Sequence, residues 1–226
     1  MKVLSIIPAR GGSKGIPRKN IVNLNGKPLI SWTIEASLAS KYINKTIVSS
    51  EDKEILEISE EFGAIPFQRD ESLAGDFVKT ELVLLDVLNK LEDKFDYLVL
   101  LQATSPLRNS LHIDEAFKML IEKNAKSLIS VYEPDHSPLK AFLSNEDGTL
   151  KGIVNDSYPF YPRQVLPKTF YPNGAIYIID VKEFLKYGSL FIPNKTIYYI
   201  MDKLYSNDID TLDDLKKIEK EYSRKN

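Results

Sequence analysis

The chain has 226 residues, 43% of them apolar and 27% charged, which suits one globular domain with room for a full core. It has no cysteine and two histidines, His112 and His136, which excludes a disulfide framework, an iron–sulfur cluster and a cysteine nucleophile and argues against a histidine-rich metal centre. A formal charge of −2 argues against nucleic acid as a partner.

The apolar start, residues 1–8, is too short for a secretory signal. No apolar run approaches the ~18 residues of a membrane helix, so the expected address is the cytoplasm, with no membrane partner. Residues 3–8 (VLSIIP) form a continuous run rich in branched side chains, the pattern of a strand buried on both faces. Similar runs recur at 45–49, 97–101, 127–131 and 175–179. Helical spacing lies between them: Leu29, Trp32, Ile34 and Leu38; then Ile55, Ile58 and Phe62; then Leu82 to Leu91; then Ala116, Phe117, Leu120 and Ile121. Strand and helix in alternation predict an α/β domain over residues 1–226, a mainly parallel sheet with helices on both faces. Ligands bind such sheets beyond the carboxyl ends of the strands. The loops after Pro8 and Leu101 are therefore the places to look for chemistry.

Residues 133–172 break the rhythm. They hold six of the twelve prolines, the turn signal Asp147–Gly148, and the aromatics Phe142, Tyr158, Phe160, Tyr161, Phe170 and Tyr171. This reads as an inserted arm of short strands and turns, its aromatics either covering their own domain or contacting a second copy. Residues 216–226 read as a charged helix end.

The loop at 9–20 (ARGGSKGIPRKN) is the most informative stretch. Between Met1 and Ile34 stand six cations, Lys2, Arg10, Lys14, Arg18, Lys19 and Lys27, and no carboxylate. Glycines let backbone amides approach phosphate oxygens, and the cations neutralise them. The spacing matches neither G-x-x-x-x-G-K-[ST] nor G-x-G-x-x-G. A solvated basic turn is the plain alternative; a triphosphate site accounts for more of the pattern.

In 100–108 (LLQATSPLR), Gln102 stands just past a strand end. Thr104, Ser105 and Arg108 are either ligand-facing groups or the opening of a helix capped by Thr104 or Ser105 with Pro106 first. In 207–214 (NDIDTLDD), Asp208 and Asp210 share one side of an extended segment, as a divalent cation requires. Thr211 and Asp214 also fit a capping box, and the two readings are compatible.

Five stretches in this order, 7–20, 101–108, Pro162-Arg-Gln164, Pro172-Asn-Gly-Ala-Ile-Tyr177 and Asp208-Ile-Asp210, resemble the acylneuraminate cytidylyltransferase family. The resemblance implies a Rossmann-like three-layer nucleotidyltransferase domain and a homodimer held by the inserted arm. It implies transfer of CMP from CTP to a nonulosonic acid, with Mg²⁺ on Asp208 and Asp210. Arg10, Gly12, Ser13, Lys14, Lys19 and Asn20 match the nucleotide loop, and Arg10 and Lys19 act as catalytic cations on the triphosphate. Arg69 and Thr80 fall where family members contact base and ribose, although Phe77 and Lys79 replace small polar residues nearby. Gln102 and Tyr177 match positions facing the sugar acid. Lys140 and Arg163 match arm residues that complete a neighbour's site. Phe191 matches one aromatic of a sugar-pocket wall in which Leu190 replaces the other. A transferase for a Kdo-like acid or an amino-sugar phosphate, GTP-dependent among the options, is the rival expectation, with a catalytically silent nucleotide-binding protein behind it.

Overall fold

A computed structural model of the chain describes residues 1–225. In chain order the elements are β1 (Val3–Pro8), β2 (Asn23–Leu24), β3 (Lys27–Pro28), α1 (Leu29–Leu38), β4 (Lys45–Ser50), α2 (Lys53–Glu61), β5 (Ile65–Gln68), α3 (Thr80–Lys90) and β6 (Tyr97–Leu100). Then follow α4 (Ser110–Glu122), β7 (Ser127–Tyr132), β8 (Phe142–Ser144), β9 (Leu150–Gly152), β10 (Tyr171–Asp180), α5 (Val181–Tyr187), β11 (Thr196–Ile200) and α6 (Leu212–Lys225). Seven strands form one sheet in the order β11-β7-β10-β6-β1-β4-β5. All neighbours run parallel except β10, which is antiparallel to both β6 and β7. The mainly parallel sheet is as the runs predicted, while the two edge strands β5 and β11 and the short α5 are additions. No described helix is long and apolar enough to cross a membrane.

Alternation along each central strand builds the two flanking layers. Ile7, Val48 and Val99 pack with Ile34 and Phe117 of α1 and α4 on one face. Leu4, Ile6, Ile47 and Leu98 pack with Leu84 and Val87 of α3 and Phe184 of α5 on the other. A third, smaller cluster joins Ile16 of the basic loop, Leu107 of the loop after β6, and Ile209, Leu215 and Ile218 at the carboxyl-terminal end. Burial of these side chains holds three segments, distant in sequence, at one end of the sheet.

Local caps set the helix starts. Asp52 accepts from the Ile55 amide at 3.1 Å to begin α2. The loop after β6 runs on past Pro106, and α4 is capped by Asn109, which forms a capping box with His112. The reading of Thr104 or Ser105 as that cap is therefore corrected: the two residues lie in the loop, five and four positions before the cap. Thr211 and Asp214 do form the reciprocal pair at the start of α6.

The arm leaves the sheet after β7 and returns as β10. It carries the hairpin β8–β9, with Gly148 at positive φ in its turn, and three single turns of 3-10 helix. Leu166 is buried, whereas Phe142, Leu143, Leu150, Val154, Phe160 and Val165 are each more than two-fifths exposed. Phe142 and Phe160 meet each other edge-on, with ring centroids 6.2 Å apart, and do not cover the domain.

Candidate active site

Two cavities open side by side beyond the carboxyl ends of β1 and β6, one of about 310 Å³ and one of about 460 Å³. Gln102 and Asp208 belong to the walls of both.

The first cavity is built on the basic loop. After β1 the chain turns through residues 9–18 and ends with Arg18 in the left-handed region, at φ 56° and ψ 33°. A non-glycine residue there is strained, and ion pairs from Arg18 to Asp52 and Glu54 hold it. The Gly11 amide donates to Glu51 at 2.7 Å, and Glu51 also takes the buried Arg69 guanidinium at 2.8 Å. The acidic start of α2 thus braces the loop from behind. Neither Glu51 nor Asp52 was expected in this role; their position directly after β4 was the one available signal.

Arg10, Ser13, Lys19, Asn20, Arg69 and Thr80 all line the first cavity. Buried Asn20 donates to the Arg10 carbonyl at 2.9 Å. Lys14 is 82% exposed and stands at the mouth, and Gly12 is exposed with open space where a Cβ would be. Each forward cation already holds a carboxylate. Arg10 and Lys14 both bond Asp76 at 2.6 Å, and Lys19 donates to Asp210 at 2.8 Å. The hydrogen bonds from Lys14 and Arg10 keep the Asp76 carboxyl below the usual carboxylate range. A phosphate-bearing ligand that reached both cations would have to displace that carboxylate. Asp76→Asn is therefore expected to tighten the binding of a nucleoside triphosphate about threefold, the weight of an exposed ion pair; calorimetric titration checks it.

Asp208 and Asp210 both reach the first cavity. A Cβ on Gly15 would lie 2.2 Å from the Asp210 carbonyl oxygen, so a glycine at 15 is what lets the basic loop touch the aspartate loop. The Ile209 amide donates to the Thr104 carbonyl at 2.9 Å and ties in the third loop. Asp208 Oδ1 is buried and has no hydrogen-bond partner among the described residues. Burial pushes the Asp208 carboxyl up; the Thr104 hydroxyl and Lys19 oppose this, and the Asp210 charge adds to it. An orphaned carboxylate oxygen beside a second carboxylate suits a hard divalent cation such as Mg²⁺. No group of three or more acidic, histidine or cysteine ligands occurs among the described residues. The other coordination positions would fall to water and to ligand oxygens.

The second cavity is polar. Tyr132, Asn173, Tyr177 and Ser206 line it with Gln102, the carboxylates Asp208 and Asp214 stand in its wall, and no Lys or Arg does so among the described residues. The register of β10 on β7 shifts between Pro172 and Tyr177, a bulge in which Asn173 and Gly174 line the cavity while Ala175 and Ile176 stay in the core. Asn173 is fixed there by Ser130 at 2.5 Å and Ser206 at 3.0 Å. Burial pushes the Tyr177 phenol up, so it remains a donor near neutral pH. Tyr132 and Ser206 were not foreseen, because neither lies in a recognisable motif.

Lys140, Arg163 and Phe191 line neither cavity. Lys140 is exposed on the arm. Arg163 is clamped at the arm's root, on the carbonyls of Asp135 and Pro134 at 3.1 and 3.2 Å and on Glu133 at 3.1 Å. Phe191 is exposed beyond α5, while Leu190 is buried in the core.

A three-layer α/β domain with a basic loop and an aspartate pair facing one cavity is a nucleotidyltransferase. The cytidylyltransferase family profile matches residues 4–225, and the chain belongs to that family. It is 35% identical over 220 residues to a pseudaminic acid cytidylyltransferase of Campylobacter jejuni, covering 96% of this chain and 94% of that one. It is 40% identical over 217 residues to an N-acylneuraminate cytidylyltransferase of Streptococcus agalactiae, covering 95% of this chain and 52% of that longer protein. A CMP:2-keto-3-deoxy-manno-octonic acid synthetase solved with CTP shares the fold, with a TM-score of 0.74 over 100% of both chains at 18% identity.

Proposed function

We propose that this enzyme transfers CMP from CTP to the anomeric hydroxyl of a nonulosonic, sialic-type acid and releases pyrophosphate. The observation that carries the reading is the pair of joined cavities, the first bringing Arg10, Lys19 and Arg69 together with Asp208 and Asp210, the second lined mostly by uncharged polar groups, with Gln102 and Asp208 shared between them. A triphosphate in the first and a sugar acid in the second would meet at that shared wall. The substrates named for the Campylobacter and Streptococcus relatives support the same pairing.

Phosphoryl transfer depends mainly on positioning and on neutralising phosphate oxygens. In this reading Arg10 and Lys19 neutralise the triphosphate, while Ser13, Asn20 and loop amides supply neutral donors. Arg69 and Thr80, in the same wall, take base and ribose. Asp208 and Asp210 would hold Mg²⁺, which supplies further positive charge at phosphate oxygens when bound. The anomeric oxygen forms its bond to the α-phosphorus as the bond to the bridging β-phosphate oxygen breaks. No histidine lines either cavity, and the hydroxyl proton passes to water. Incubation with CTP and N-acetylneuraminic, legionaminic and pseudaminic acids in turn should yield one CMP-linked sugar acid by mass spectrometry. No such product from any of the three would overturn the reading.

A carboxylate-bearing acceptor needs a cation, and the second cavity has none in its own wall. A homodimer would meet the need if the arm of one copy brought Lys140 or Arg163 to the site of the other. The exposed apolar side chains of the arm support that assembly. The double variant Phe160→Asp/Val165→Asp is expected to run as a monomer by light scattering. It should keep CTP affinity and raise the sugar-acid KM at least tenfold, the weight of about one charged hydrogen bond. We place the reaction in the cytoplasm, where CTP is made.

A further inference from the structure

We propose that Arg108 is a positioning residue, which holds the loop after β6 against β10 so that the Gln102 amide stands between the two cavities. The proposal rests on the reading above that Gln102 faces the sugar acid.

Arg108 is 1% exposed and has no carboxylate partner among the described residues. Burial lowers its pKa to about 10. A buried guanidinium without an anion is costly, and an apolar side chain of similar volume would serve the core better. What Arg108 does is specific. Its Nε donates to the Ala175 carbonyl at 3.3 Å, and its Nη2 donates to the Thr33 hydroxyl at 2.7 Å and to the Gln102 carbonyl at 3.3 Å. Thr33 in turn donates to the same Gln102 carbonyl at 3.3 Å. One planar fork therefore joins α1, the first residues after β6 and the bulged strand β10. Among the described residues Nη1 is left without a partner, and every bond of the guanidinium goes to these three elements.

The side chain so anchored is free to act. The Gln102 amide has no partner among the described residues, and it lines both cavities. Its Oε1 lies over Gly174, where a Cβ would stand 2.1 Å away. Gly174 has φ +73° and belongs to the bulge that Arg108 grips next door at Ala175. The fork and the missing Cβ act on the same side chain: one fixes its backbone, the other gives its amide room.

The test is kinetic, with CTP and whichever of N-acetylneuraminic, legionaminic and pseudaminic acid the native chain turns over. Arg108→Lys keeps the charge and loses the planar fork. It is expected to raise the sugar-acid KM about tenfold, the weight of about one charged hydrogen bond, with the CTP KM within about twofold. Thr33→Val leaves the guanidinium in place and removes one acceptor; a rise of about threefold in the same parameter is expected. This second variant keeps the test decisive if Arg108→Lys does not fold. In a Gln102→Ala background neither change should raise the sugar-acid KM further, since both act through Gln102. Additive losses in that background, or equal losses for CTP and sugar acid, would overturn the positioning role. An unchanged sugar-acid KM in Gln102→Ala alone would instead overturn the reading of Gln102 on which it rests.

Discussion

Asp208→Asn is expected to lower kcat by a hundredfold or more and, at the same time, to raise the melting temperature of the ligand-free protein. The loss follows from position: Asp208 stands in the shared wall of the two cavities, and its Oδ1 has no other partner. Asparagine keeps the shape and removes the negative charge that would hold Mg²⁺, and losing the electrostatic stabilisation such an ion supplies at a reacting phosphate costs roughly 10²–10³ in rate. The gain in stability follows from the sign of the shift. Burial raises the folded-state pKa of Asp208 above its unfolded value, so the native state binds the proton more tightly. Stability then falls as pH rises from the unfolded-state value through the folded-state one, a cost of keeping a buried charge. Removing the carboxylate lifts it. Steady-state assays and thermal melts at pH 7 read the two effects, and a variant that is both less active and less stable would contradict this account of Asp208.

Lys19→Ala is the second large effect. The Lys19 side chain is 16% exposed, lies in the first cavity and donates to Asp210 at 2.8 Å. Its removal takes a cation from the triphosphate and leaves two carboxylates uncompensated beside it. A fall of roughly 10²–10³ in kcat/KM for CTP is expected, with the sugar-acid KM little changed. Lys19→Arg should recover part of the loss, since it restores the charge with a different fork. Stability should fall modestly: the Asp210 partner is 73% exposed and such pairs contribute little, while buried Asp208 loses a cation that eased its charge. Initial rates with CTP varied at fixed sugar acid separate these parameters, and an unchanged kcat/KM would remove Lys19 from the nucleotide site.

Much of this was legible in the chain because strong local signals coincide with the site. Residues 3–8 are apolar but for Ser5 and stop at a basic, glycine-rich loop, which located the first cavity. Proline density marked the arm. Weak local signals account for what was missed. β5 is a four-residue edge strand containing Pro66, and β11 alternates over five residues between turns. Arg108 read as a polar residue near a helix start, because a charged side chain is exposed by default; nothing local marks it as fully buried. The Lys19–Asp210 pair spans 191 positions, and no spacing rule reaches that far. Its two ends came together through family motifs, and in the structure the Ile16, Leu107 and Ile209 cluster holds them in place. Tyr132 faces the second cavity from the end of β7 and Ser206 from a 3-10 turn at Lys203–Ser206, placements that tertiary packing decides rather than composition.

The most direct test of the central claim is pyrophosphate release from purified protein and Mg²⁺, with each of the four nucleoside triphosphates against a panel of nonulosonic acids, a Kdo-like acid and amino-sugar phosphates. Release with CTP and one nonulosonic acid, and with no other triphosphate, is the predicted result. Release with GTP alone, or with a sugar phosphate and no sugar acid, would contradict the pairing of a CTP cavity built on Arg10 and Lys19 with an acceptor cavity that has no cation in its described wall.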